Sequence, residues 1–189
     1  MAQIDFPDVP MARFDIQANV PNVIRHSSIY GSSEQVFARA TLSFSGHIIW
    51  PRYAYGQHPE YIAEITAFLA RCYGPVNTFD VPLPGNQQKR FSDTTALTIA
   101  NLASDTFESS FTATEGLLAG DYVNFSHRLH QITFADKGNY KCVPAVKKGE
   151  TEMAWHSPKM RCRLAQSSVE QKREGVWAGP YEIEVVEAV

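Results

Sequence analysis

The last strong pattern in the chain sets the hardest constraint on its fold. In YEIEVVE (181–187), Tyr181, Ile183 and Val185 alternate with Glu182 and Glu184, a period of two that gives a half-buried strand. A strand needs a sheet to join. The residues just before it, EQKREG (170–175), are polar and offer no partner. The short strands upstream suit a small barrel, and a closed barrel has no vacancy. The terminal strand is therefore predicted to rejoin the sheet that begins near residue 36. That makes residues 1–87 and 174–189 one discontinuous domain and 88–173 an inserted one.

The first sheet segment is VFARATLSFSGHIIW (36–50), where Ala38, Ala40, Leu42 and Phe44 alternate with Arg39, Thr41, Ser43 and Ser45. Gly46 marks a bulge on this reading, and the strand breaks at Pro51. A helix follows in HPEYIAEITAFLARCYG. Pro59 suits a first turn, Glu60 and Glu64 favour the N-terminal dipole, and Ile62, Ile65, Phe68, Leu69 and Cys72 trace one face. Gly74 is the expected C′ residue, with Pro75 behind it. Next comes VPLPG (81–85), two prolines two residues apart in a strand-like stretch. Proline has no N–H for a ladder, so this segment is expected to blunt an edge or to serve another subunit.

Beyond residue 85 only short strands are predicted: 94–100, 106–113, 121–125, 129–135, 139–146 and 160–165, separated by AGD, DKGN and KKGE. Their number and spacing suggest a five-stranded oligonucleotide/oligosaccharide-binding (OB-fold-like) barrel. Before residue 36 the text lacks regular pattern. Residues 1–35 read as an extended arm with one strand near Arg13–Val20. They carry Phe6, Met11, Phe14, Val20, Val23, Ile24 and Tyr30, apolar surface expected to lie on a neighbouring subunit.

The chain has 189 residues, 44% hydrophobic and 20% charged, with a formal net charge of −3. That balance excludes a disordered tail and a general trap for nucleic acid. Three cysteines at long spacing predict no disulfide framework. No basic, then apolar, leader opens the sequence and no apolar run approaches a membrane span, so neither secretion nor membrane insertion is expected.

The sequence carries few chemical signatures. No Walker A, GxGxxG or GxSxG motif occurs. His127 and His130, with Cys142, come nearest to a metal or metal-enzyme set. Residues three apart on a strand face opposite ways, so no metal, cofactor or catalytic residue is expected. Cys72 reads as a core position. Residues 141–174 hold eight basic against four acidic side chains. Arg161 and Arg163 share a strand face there, and Tyr140 and Trp155 could stack bases or sugars. These four make a candidate binding face for glycan or single-stranded nucleic acid, weighed against a solvated charged face.

The order of elements resembles the distal tail proteins (Dit-like) of long non-contractile-tailed bacteriophages. The stretches that carry the likeness are ATLSFSGHIIW (40–50), the FLARCYGPVNTF run (68–79), and GLLAGDYVNF followed by HRLHQITF (116–134). The resemblance implies a mainly β (β-rich α+β) subunit: a tail-tube-like β-sandwich or split barrel with one flanking helix, plus an inserted OB-fold-like barrel. It implies a homohexameric ring in the virion at the tail tip, made in the host cytoplasm. That ring would join the tail tube protein to baseplate hub proteins, with DNA passing through its lumen. Phe6, Phe14, Pro82 and Pro84 are the expected subunit contacts.

Overall fold

The computed structural model describes residues 2–19, 23–26, 35–38, 43–83, 97–105, 107–114, 116–167 and 169–188. The fold is mainly β, with one helix among the described residues. The first part of the chain forms β1 (Gln3–Ile4), β2 (Arg13–Asn19), β3 (Val23–His26), β4 (Gln35–Ala38), β5 (Ser43–Trp50) and β6 (Tyr53–Ala54). Helix α1 (Pro59–Cys72) and β7 (Thr78–Pro82) follow. The helix buries the predicted face, Ile62, Ile65, Phe68, Leu69 and Cys72. It stops where expected: Tyr73 is the C-cap, left-handed at φ 49°, and Gly74 follows as the C′ residue at φ 62°.

The middle of the chain forms β8 (Leu97–Thr98), β9 (Ala100–Ser104), β10 (Ser109–Thr112), β11 (Tyr122–Phe125), β12 (Arg128–Asp136), β13 (Asn139–Val143) and β14 (Glu152–Met153). Five of these pair in the order β11-β12-β13-β10-β9. β8, one residue before β9, pairs with β14, and β14 is bridged to β11 by reciprocal Asn124–Ala154 backbone bonds of 2.7 and 2.9 Å. These strands share a core that includes Phe111, Phe125, Ile132, Tyr140, Met153 and Trp155.

The last part forms β15 (Lys159–Leu164), β16 (Arg173–Glu174), β17 (Trp177–Ala178) and β18 (Tyr181–Glu187). The main sheet runs β1-β7-β15-β18-β5-β2. The terminal strand β18 sits inside it, between β15 and β5. One boundary needs correction. β15, assigned by sequence to the inserted 88–173 unit, pairs with β7 and β18, so the chain is back in the main sheet by Lys159. Its inward residues Met160, Cys162 and Leu164 are fully at home in that core, which also takes Ile48, Trp50, Phe68 and Ile183. Period-two alternation reports which face is apolar but not which sheet the strand joins.

Gly46 is a second correction. The β5–β18 register runs unbroken from Trp50 to Ser45, so no bulge occurs there. A Cβ at Gly46 would stand 2.5 Å from Phe14 Cε2, so the glycine instead seats the Phe14 ring.

Candidate functional site

Residues 2–19 of the expected arm fold onto their own domain, while Val20 and Tyr30 lie outside the described residues. Phe6 stacks on Trp50 (centroids 5.7 Å) and Phe79 (6.0 Å) and meets Phe68 edge-on at 5.4 Å. The backbone is pinned as well: Asp8 N–H donates to Glu64 Oε1 at 2.8 Å, and Tyr53 O–H donates to the Pro10 carbonyl at 2.9 Å. Phe14 covers Gly46, and β2 pairs with β5 along seven residues. Phe6 and Phe14, expected as subunit contacts, therefore pack within the chain. An irregular segment can bury apolar residues without any periodic pattern to announce it.

Pro82 closes β7 opposite Lys159 and is exposed. Leu83 N–H points to β15, donating to the Pro158 carbonyl at 3.0 Å. Alternation turns the Pro82 nitrogen the other way, towards β1, which pairs only with Thr78 and Phe79. The missing donor costs no ladder bond there. Pro84 lies outside the described residues.

The four residues of the expected binding face do not come together. Tyr140 and Trp155 are each 2% exposed in the core of the inserted unit, and the Tyr140 hydroxyl donates to the Thr114 carbonyl at 3.1 Å. Arg161 and Arg163 belong to β15 of the main sheet. Arg161 Nε donates to Asp80 Oδ1 at 3.0 Å and its Nη2 to Gln3 Oε1 at 3.2 Å, while Arg163 is exposed opposite Val186. A cleft of about 250 Å³ where the units meet is lined by His127, Arg128, Lys147, Glu150 and Arg161, among others. Its cations are offset by Asp80 beside Arg161, Glu150 on the wall and Glu187 beside Arg128.

His127 lies in the turn between β11 and β12, whereas His130 is on β12. His130 is 2% exposed with Nδ1 2.7 Å from the Pro144 carbonyl. Burial outweighs that hydrogen bond and pushes its pKa down to about 4. Desolvation likewise pushes the Cys72 and Cys142 thiols up to about 12. Thiols held protonated in this way are packing groups rather than nucleophiles. Among the described residues no group of three His, Cys, Asp or Glu side chains is placed to hold a metal ion.

A two-stranded ladder forms one edge of the main sheet. β2 and β5 pair antiparallel from Arg13↔Ile49 to Asn19↔Ser43. Between them in sequence, β3 and β4 also pair antiparallel, from Val23↔Ala38 to His26↔Gln35. β5 leaves β18 at Ser45, and β3 and β4 have no third strand among the described residues. A second exposed feature is the β16–β17 hairpin against β6, which presents Val176, Trp177 and Tyr55 at 66%, 45% and 37% exposure.

Two residues at the joint between the units escaped the sequence reading. The Asn124 side chain pairs with the backbone of Lys159 as a strand would, Oδ1 accepting from N–H at 2.7 Å and Nδ2 donating to the carbonyl at 2.7 Å. Glu187 is the next inward position after Tyr181, Ile183 and Val185. A glutamate at an apolar position of a period-two strand was the available signal.

The chain matches no protein-family model and no curated protein.

Proposed function

We propose that this chain is a structural virion subunit that forms a ring, with six copies as the expected number, at the distal end of a long bacteriophage tail. In this reading the ring joins the tail tube protein to the baseplate hub or tip proteins and leaves a lumen for the genome. The observation that carries it is the β3–β4 pair, which lies in sequence between β2 and β5 and has no third strand among the described residues. A two-stranded hairpin is marginally stable alone in water and presents unpaired N–H and C=O groups, so a neighbouring chain is its natural third partner.

Further support is the plan of the chain. A sheet made from both ends of the sequence, with one helix, is interrupted by a second β unit between β7 and β15. This is the arrangement that the resemblance to distal tail proteins implies, and the OB-type assignment of the second unit belongs to the same proposal. No catalytic role is assigned.

The test is light scattering combined with negative-stain microscopy on the purified chain, alone and mixed with a cognate tail tube protein. Closed rings of about six subunits support the reading. A monomer that forms no ring in either preparation contradicts it.

A further inference from the structure

Glu187 ends β18 at an inward position and is 7% exposed. Its carboxylate is shared between the two units of the chain. Oε2 accepts from the Phe44 N–H of β5 at 3.2 Å, and Oε1 accepts from the Leu129 N–H of β12 at 3.3 Å. Arg128 on β12 is the cation that acts on it, and the Cys162 thiol faces it across the β15–β18 pair. Leu129 itself packs in the core of the main sheet, and the Tyr122 ring of β11 meets Phe44 edge-on at 6.0 Å. The carboxylate is thus a bolt through the joint, held by one backbone donor from each side.

A charged carboxylate taken from water costs free energy, which backbone donors and a nearby cation only partly restore. Moving the inserted unit off the sheet would break the Leu129 bond and return Glu187 to water. We infer that docking of the inserted unit on the main sheet is proton-linked through Glu187, so that mild acidification tightens the joint rather than releasing it.

The sign follows from linkage. Burial is the largest influence on Glu187 and raises its pKa above that of a solvated glutamate, with the two N–H donors and Arg128 opposing. The docked form therefore holds the proton more firmly than an undocked form does. As pH rises through the raised value, that contribution to docking is lost. The neighbours do not blur the window. Cys162 is pushed well above the usual thiol range and stays protonated. His130, further along β12, faces Pro144 and titrates near pH 4.

The experiment is residue-resolved amide hydrogen exchange on the full chain from pH 7 down to 4.5, the ordinary glutamate value, corrected for intrinsic rates. Opening at the Leu129 amide should fall as pH falls, by at most tenfold per pH unit, the limit for one bound proton. Glu187→Gln should flatten that dependence. Arg128→Met removes the cation that favours the charged form and should shift the dependence to higher pH. A flat wild-type profile, or the wild-type slope persisting in Glu187→Gln, overturns the inference. Should the glutamine variant fail to fold, an Arg128→Met profile superimposable on the wild type does the same.

Discussion

In the main sheet, contacts join residues far apart in the chain: 81 positions separate Asp80 from Arg161, and 143 separate Phe44 from Glu187. In the inserted unit, β11 pairs with β12 and β12 with β13, each the next strand along the chain. Closing long loops before any contact rewards them is entropically costly, whereas neighbouring hairpins form at small cost. The two units share a joint yet differ in what they need from the rest of the chain. The sheet requires both ends of the sequence at once, and the inserted unit requires mainly itself.

The largest effect that would expose this difference is truncation after Glu174. It removes β18 from between β5 and β15 and leaves every ladder of the inserted unit in place. The main-sheet transition should disappear from thermal melts, with aggregation through the opened edge. A truncated chain that melts like the parent would show that the sheet does not depend on its last strand.

Phe6→Ala probes the arm. Its ring contacts with Trp50, Phe68 and Phe79 place the loss at about 3 kcal/mol, measured by denaturant unfolding. No change would return the arm to a role outside its own domain.

Acid should strike the inserted unit through His130. Its folded pKa, pushed down to about 4, lies below the ordinary value of 6.5, so the neutral ring stabilises the fold above pH 6.5 and the contribution is lost as pH falls towards 4. The loss is on the order of 3 kcal/mol and should vanish in His130→Gln. Near-ultraviolet dichroism of Trp155, in that unit's core, can follow it.

Smaller effects test the joint and the sheet surface. Asn124→Ala leaves the Lys159 N–H and carbonyl without their side-chain partner and should cost about 2 kcal/mol, with faster exchange at Lys159. Gly46→Ala forces the Phe14 ring aside at about 1 kcal/mol, less than a bulky residue would cost, because the ring edge can move.

What the sequence disclosed follows from how local each feature is. The helix carried its own start, stop and buried face, and α1 spans Pro59–Cys72. Strands β11, β12 and β13 were bounded by turn residues that act on their immediate neighbours, whereas β9 (Ala100–Ser104) falls in a stretch that carried no strand signal. The membership of β15 depended on β7, 81 positions away at the Arg161–Asp80 contact, and nothing within MRCRL names that partner. Tyr140 and Trp155 look alike as stacking platforms or core residues until burial is known, and both are core. Phe6 sits in irregular chain, so no period marked it as buried. Glu187 broke an apolar period and could have been read as a joint residue.

Under the proposed function, the segment between β2 and β5 is the contact between subunits. β2 and β5 are already paired at Asn19↔Ser43, so residues 20–42 can be replaced by a two-residue Asn-Gly turn without disturbing the sheet register. The shortened chain should melt within a few degrees of the parent, and electron microscopy should show that it no longer forms rings with the tail tube protein. Rings of unchanged size from a ribbonless chain would contradict the central claim.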